Sequence, residues 1–377
     1  MSPSTIRTKS RVFKIVTIPG DGIGVDITEA AVAVLQKLAV VSGTFEFEFT
    51  EKDWSSKKYQ ERGYYMPEDG LDQLKKFDAI YFGAVGWPVR IADLGPRTDV
   101  PDHISLWGLI LPIRNALGQY VNVRPTRVLR GITSPLKDCG PGDLDWVIVR
   151  ENSEGEYAGH GGTTHGAFSH AVATEVSIFT RVGIERIFRF AFETARSRPR
   201  KKLTMVTKSN AQRHGMVLWD KIFTEITKEY PDVETDKMLV DAMTVRMTLH
   251  PKTLDTIVAT NLHADILSDL AAALSGSIGI APSSNLDPMR EFPSMFEPIH
   301  GSAPDIAGKG IANPIGAFWS AAEMVRWLGF TEAADGLMAA IENVTEAGIK
   351  TKDLAGASDT QTVTEAVCKE IEKVLQK

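Results

Sequence analysis

Asp265 and Asp269 stand four residues apart in Asn261-Leu262-His263-Ala264-Asp265-Ile266-Leu267-Ser268-Asp269-Leu270. On a helix that spacing stacks both carboxylates on one face, about one turn apart. Like charges so placed repel unless a cation lies between them, and hard oxygen ligands without thiolates suit Mg²⁺ or Mn²⁺ better than zinc. A solvated acidic face is the alternative for such a pair. The apolar neighbours Ile266, Leu267 and Leu270, and a third candidate carboxylate at Asp241, argue for more than that. Arg114, Arg124 and Arg150 could grip two carboxylates through bidentate hydrogen bonds, although each alone reads as a surface charge. Tyr157 and Lys208 form the candidate acid–base pair. A lysine beside a divalent cation and several arginines has its charged form disfavoured, which moves its pKa toward that of a useful base.

These groups need elements to hold them. Val12 to Ile18 reads as a buried strand ended by Pro19-Gly20, and a helix is expected from near Asp26, with Glu29 three residues on as a capping box. Its apolar positions Ile27, Ala30, Ala31, Val34, Leu35 and Leu38 recur at helical spacing. Phe45 to Phe49 alternates with period two, and another strand ends at Phe82. Strands alternating with helices give an α/β class with a largely parallel sheet. In the middle of the chain, four apolar runs end on polar groups. Trp146–Val149 meets Arg150, Leu203–Thr207 meets Lys208, Met238–Val240 meets Asp241, and Ile257–Thr260 meets the segment with Asp265 and Asp269. Ligands bind outside the carboxyl ends of such strands, so the four endings imply one shared site. Arg114 and Arg124 flank a segment of helical character closed by Pro125.

A chain of 377 residues suggests about two domains. No repeat or flexible linker is visible, so a second domain must be knitted into the first. With 43% hydrophobic and 24% charged residues the composition is globular, and a net charge of −6 makes a poor general polyanion binder. Two cysteines, Cys139 and Cys368, exclude a disulfide framework and a Cys-rich zinc site and fit a reducing compartment. The basic start, Arg7, Lys9, Arg11 and Lys14, reads as a short tail on a cytoplasmic protein, with a mitochondrial transit stub as the alternative. No apolar run is long enough to span a bilayer, and no metalloprotease, nucleophile-elbow or phosphate-loop motif occurs. Gly20-Asp21-Gly22-Ile23-Gly24 misses the Rossmann-type dinucleotide fingerprint because Val25 stands where the third glycine is needed, leaving a tight turn. His300-Gly301-Ser302-Ala303-Pro304-Asp305 through Asn313 is the better cofactor candidate, its small residues letting backbone amides approach a phosphate and its carboxylate suiting a ribose diol. By composition alone it is also an ordinary surface loop.

Taken together, these segments resemble the β-decarboxylating dehydrogenases of isopropylmalate, isocitrate, homoisocitrate, D-malate and tartrate. The match runs from Ile18-Pro19-Gly20-Asp21-Gly22-Ile23-Gly24 to Ala312-Asn313-Pro314, and is most specific at Asn261–Leu270 and Glu297–Asp305. The resemblance implies an isopropylmalate dehydrogenase-like α/β fold of two interleaved domains. A cofactor-side domain would span 1–119 plus 276–377, and a central domain 120–275, with a dimerisation arm near 155–177. It implies Arg114, Arg124, Arg150 and Asp241 as substrate ligands, Tyr157 as the group protonating the product carbon, and Lys208 as the base for the alcohol. Asp241, Asp265 and Asp269 would bind Mg²⁺ or Mn²⁺, with K⁺ as an activator. His300, Gly301, Ser302, Ala303, Pro304, Asp305 and Asn313 would bind NAD, Asp305 accepting from a ribose diol and repelling a 2′-phosphate. A homodimer is implied, Lys208 and Asp241 reaching each site from the partner subunit, with no nucleic acid or membrane as partner.

Val100 to Gly108 looks like the tartrate and D-malate branch, which implies oxidation of a (2R)-hydroxy dicarboxylate: D-malate to pyruvate and CO₂, or tartrate. Ile110 and Leu111 stand where isopropylmalate dehydrogenases place an apolar pair, which keeps 3-isopropylmalate as the runner-up. Pro112 should disturb the helix that aims Arg114. A catalytically silent regulatory subunit is the reading from another class, although none of Tyr157, Lys208 or the aspartates is lost.

Overall fold

The computed structural model describes residues 11–87 and 100–376, so Arg7 and Lys9 lie outside it. The first described elements are β1 (Arg11–Gly20), α1 (Ile23–Ser42), β2 (Phe45–Glu51), α2 (Ser56–Arg62), α3 (Gly70–Leu74) and β3 (Ala79–Ala84). Next come α4 (Asp102–Ser105), a π-turn (Leu106–Ile110), α5 (Leu111–Ala116), β4 (Val121–Arg127), β5 (Asp145–Glu151), β6 (Gly155–Thr164) and β7 (Val172–Ile178). They are followed by α6 (Arg181–Ser197), β8 (Lys202–Thr207), α7 (Gly215–Thr227), β9 (Glu234–Leu239), α8 (Val240–Leu249), β10 (Thr256–Ala259) and α9 (Asn261–Ser275). The chain closes with β11 (Pro282–Leu286), β12 (Ser294–Pro298), α10 (Ile315–Trp327), α11 (Thr331–Glu346) and α12 (Thr360–Leu375). Among the described residues no helix is long and apolar enough to cross a membrane.

These elements form two compact units. One takes the described residues up to Pro112, Gly279–Pro282 and those from Arg290 onward; the other takes Ile113–Ile278 and Ser283–Met289. The family resemblance places these joins at 119/120 and 275/276.

In the first unit the strands lie in the order β2-β1-β3-β12, all parallel where paired. The chain leaves β1 toward β2 and returns to its other side as β3, so the crevice where direction reverses lies at the carboxyl ends of β1 and β3. That is where Gly20-Asp21-Gly22 turns. Gly20 has φ 72°, and a Cβ there would sit 2.0 Å from the Ala84 carbonyl oxygen, so only glycine fits between the two strands. The expected start of α1 at Asp26 is corrected. Gly22, at φ 58°, caps the helix without a side-chain bond, and α1 begins at Ile23. Its first amides are satisfied by backbone oxygens: Ile23 N by Ser302 O at 2.8 Å and Gly24 N by Asp21 O at 2.9 Å. With those donors taken a capping box at Asp26 is unnecessary, and the Asp26 carboxylate instead accepts from Gly308 N at 3.1 Å.

Pro112 is accommodated by a change of helix type. In the π-turn, Leu111 N donates to Leu106 O, five residues back, immediately before the proline. The wider turn relieves the clash between the proline ring and the carbonyl four residues earlier, so the helix continues to Ala116.

The second unit has the order β11-β4-β5-β10-β8-β9, with β5, β10, β8 and β9 parallel and β4 antiparallel to both neighbours. Arg124 therefore lies on a strand, and only the first turn after Arg114 is helical, which corrects the expected helical segment between them. Pro125 is tolerated within β4 because pairing to β11 ends at Val123. Trp146, Ile148, Val206, Ile257, Met243, Leu267, Ala271 and Leu274 form the core under α8 and α9. On α6, Phe188 is fully buried, its ring 4.5 Å from Trp219 and 5.2 Å from Phe223 of α7. Phe188→Ala is expected to cost about 3–5 kcal/mol of unfolding free energy. Urea titration tests this, and a loss below about 1 kcal/mol would show the site collapses around the missing ring. Among the described residues β6 and β7 pair only with each other, as a largely exposed antiparallel ribbon, and Phe168 in the connection between them is 62% exposed.

Candidate active site

The buried stripe of α9 is Ala264, Leu267, Ala271 and Leu274. Along its border the 3.6-residue period lines up Asn261, Asp265, Ser268 and Asp269. β5 is the strand next to β10 and delivers Arg150, while β4 delivers Arg124 beside it. Their guanidiniums converge on Asp265. Arg150 Nη1 donates to Oδ1, Arg124 Nη1 donates to the same oxygen at 3.3 Å, and Tyr157 OH donates to Oδ2 at 3.3 Å. The Arg150 guanidinium also lies 5.4 Å from the Tyr157 ring centroid. Arg114, 6% exposed, adds its charge to the environment of Asp265, Arg124 and Tyr157. Six of the expected site residues thus occupy one cluster.

Charges in this cluster are strongly coupled. Burial alone would raise the Asp265 carboxyl, but Arg150, Arg124 and Arg114 outweigh it and hold the group below its ordinary value. Burial, together with the neighbouring arginines, brings Arg124 down to about 10. Tyr157 is pushed up by burial and then by the Asp265 charge, so its phenol is protonated at neutral pH. Asp269 behaves differently. Its carboxyl is raised by desolvation and by Asp265, and among the described residues it makes no hydrogen bond or ion pair. An under-compensated carboxylate one turn from a second one is the arrangement a hard cation would neutralise, so the oxygen donors fit Mg²⁺ or Mn²⁺.

Lys208 and Asp241 do not join this cluster within one chain. Lys208 Nζ donates to Asp241 Oδ1 at 2.6 Å, and that lysine holds the Asp241 carboxyl below its usual range. The expectation of one shared set of four strand ends is corrected by strand order: β8 and β9 lie two and three strands from β5. At about 4.8 Å per strand, that separates the ends by roughly 10 and 14 Å. The cations expected around Lys208 are replaced by a carboxylate. Asp241 itself begins α8 instead of ending a strand. Among the described residues no three histidine, cysteine or acidic side chains gather around one point, so the trio Asp241, Asp265 and Asp269 is not assembled in a single chain.

In the first unit, the loop from His300 packs on the Gly20–Gly24 turn. Ser302 Oγ donates to Gly86 O at 2.5 Å, and Ser302 O receives Ile23 N. Asp21 locks the same corner, accepting from Ser56 N at 2.8 Å, Ser56 Oγ at 2.5 Å and Gly86 N at 2.9 Å. Asn313 uses both ends of its amide, donating to Asp353 at 2.8 Å and accepting from Ile315 N at 3.0 Å at the start of α10. Ser302 and Asn313 side chains are therefore engaged within the fold, whereas Gly301 and Asp305 lie exposed and Ala303 and Pro304 half-buried. Burial pushes the His300 imidazole down, keeping it neutral at pH 7, and its Nε2 is buried without a hydrogen-bond partner. An exposed small-residue loop with a carboxylate and an unpaired buried imidazole nitrogen fits a dinucleotide.

Sequence reasoning passed over Asn122, Asn261, Ser268, Asp21 and Ser56. Only Asn261 carried a signal, four residues before Asp265 on the same helical face.

Residues 14–371 match the isocitrate/isopropylmalate dehydrogenase family, to which the chain belongs. It is 64% identical over 361 residues to a probable tartrate dehydrogenase/decarboxylase of Agrobacterium vitis, covering 96% of each chain. To the decarboxylating D-malate dehydrogenase of Escherichia coli K12 it is 47% identical over 365 residues, covering 95% of this chain and 98% of that one. Among solved structures, isocitrate dehydrogenase from Methylococcus capsulatus superposes with a TM-score of 0.83 at 35% identity, covering 96% of this chain and 99% of its own. The expected isopropylmalate dehydrogenase-like α/β fold is thus shown.

Proposed function

We propose that the chain is an NAD-dependent, divalent-cation-dependent dehydrogenase that oxidises and decarboxylates a (2R)-hydroxy dicarboxylate, D-malate or tartrate, as a homodimer. The observation that carries the reading is the convergence of Arg114, Arg124, Arg150 and Tyr157 on Asp265, a positive cluster in an acidic protein. The tartrate and D-malate enzymes among its relatives support the same substrate class.

In this reading the arginines hold the substrate carboxylates by charge-assisted hydrogen bonds and so orient C2. The partner subunit's Lys208 takes the hydroxyl proton as C2 gives up hydride. When bound at Asp265, Asp269 and the partner subunit's Asp241, the cation supplies positive charge beside the reacting oxygens, and NAD supplies the hydride acceptor. As the β-carboxylate leaves as CO₂ its bonding pair passes to C3, which Tyr157, held protonated, can protonate. With tartrate the reaction can also end at oxidation. Solvent-exposed Val245, Leu249 and Ile266 on α8 and α9, at 55%, 66% and 56%, support a second copy covering that face.

The runner-up, 3-isopropylmalate, needs the Ile110–Leu111 pair as an apolar wall, but Leu111 is only 2% exposed. NADH formation with Mn²⁺ and K⁺ on D-malate, L-tartrate and 3-isopropylmalate tests the assignment. Turnover on the first or second is expected, abolished by EDTA and at least about 10-fold weaker with NADP because Asp305 repels a 2′-phosphate. Activity on 3-isopropylmalate alone promotes the runner-up, and silence on all three sinks both.

A further inference from the structure

We infer that Asn261 and Asn122 are positioning residues that fix Arg150 and Arg124 and act on the substrate only through them, an inference that rests on reading these arginines as carboxylate ligands. A guanidinium offers five donors in a rigid fork on a flexible stem, so its aim is set by whatever holds the edge that does not face the ligand. For Arg150 that edge is Nε and Nη2, and both donate to Asn261 Oδ1, at 2.9 and 2.6 Å. For Arg124, Nε donates to Asn122 Oδ1 at 2.8 Å, and Nη1 donates to Ser268 Oγ at 2.6 Å.

Both acceptors are neutral amides, and both are buried, Asn261 at 1% and Asn122 at 0% exposure. A carboxylate in either place would hold the fork equally well but would cancel the positive charge that a dianion needs. An amide oxygen fixes the geometry and leaves the charge available. Asn122 is itself keyed by a second row of amides. Its Nδ2 donates to Ser283 Oγ at 2.8 Å, Ser284 O at 3.4 Å and Asn285 Oδ1 at 2.9 Å, and Asn285 Oδ1 also accepts from Asn152 Nδ2 at 3.0 Å. Asn261 lacks such support: its Nδ2 is buried with no partner. Leaving a buried amide donor unpaired costs stability, and the two bonds that the same amide's oxygen accepts from the Arg150 fork offset part of that cost.

The test is steady-state kinetics of Asn261→Leu and Asn122→Leu, near-isosteric changes that delete the acceptor. Each should raise KM for the dicarboxylate about 10-fold or more while KM for NAD stays within about two-fold. Equal rises in both KM values, or an unchanged dicarboxylate KM, overturn the inference. Should the leucine variants not fold, Asn261→Asp keeps shape and acceptor. It should raise the dicarboxylate KM by charge cancellation, and an unchanged KM there is equally fatal. Should the native chain turn over none of the substrates, the proposed function fails by itself. Crystal structures then decide the positioning claim: the Arg150 guanidinium should leave Asp265 in Asn261→Leu, and an unmoved guanidinium overturns it.

Discussion

Asp265→Asn is expected to lower kcat/KM on the dicarboxylate by about 10³-fold or more, through loss of a preorganised electrostatic centre and of a cation ligand together. This carboxylate is where the cluster closes: one oxygen takes Arg150 and Arg124, the other takes Tyr157. An asparagine is nearly isosteric, so the loss is one of charge. Without that charge the Arg150 and Arg124 side chains, 2% and 8% exposed, remain as neighbouring buried cations that repel one another. Removing one partner of a buried pair costs more than the pair contributes, because the remaining charge keeps its desolvation penalty. The Asp265 side chain is 39% exposed, so solvent screens part of this, and about 1–3 kcal/mol of stability should be lost. Thermal melting of the metal-free protein and kinetics of the same preparation after Mn²⁺ is restored separate the two effects. A variant retaining more than about a tenth of native kcat/KM would remove Asp265 from the centre of the site.

How far the site could be read from the sequence depended on the range of each interaction. Arg150, Lys208 and the Asp265–Asp269 pair were legible because each stands directly after, or one helical turn beyond, an apolar strand run. Local pattern cannot say which strands are neighbours. The order β5-β10-β8-β9 is a tertiary property, and it divides four similar strand ends into two groups. The start of α1 was misplaced for a related reason: Ser302, far away in sequence, accepts from Ile23 N and lets the helix begin three residues before Asp26. Pro112 announced a disturbed helix, but whether the chain breaks or widens into a π-turn is settled by packing on both sides. Asn261 stands at the head of α9, and only the tertiary placement of β5 brings Arg150 to its oxygen. The α/β class needed none of this, because alternating strand and helix periods fix it locally.

Lys208→Ala is expected to lower kcat by about 10³-fold or more through loss of the base, and chains carrying it should regain activity when mixed with Asp265→Asn chains. In one chain Lys208 is bound to Asp241, at the end of a strand whose backbone lies two strands, roughly 10 Å, from β5. A general base needs direct contact with the hydroxyl or one intervening water, and in one chain the Lys208 ammonium is held by Asp241 and makes no bond to the Arg150 and Asp265 cluster. Either a large rearrangement brings it in, or the base comes from a second copy. Twofold symmetry makes the second route economical, since the same patch that donates Lys208 and Asp241 to one site receives them at the other. The alternatives differ in a mixture. If each site takes Lys208 from one chain and Asp265 from the other, a mixed dimer holds one doubly defective site and one intact site. Random reassociation of equal amounts makes half the dimers mixed, so turnover should recover to about a quarter of native. If each chain supplies its own base, every site in every dimer carries one lesion, and mixing leaves activity at the level of the separate variants.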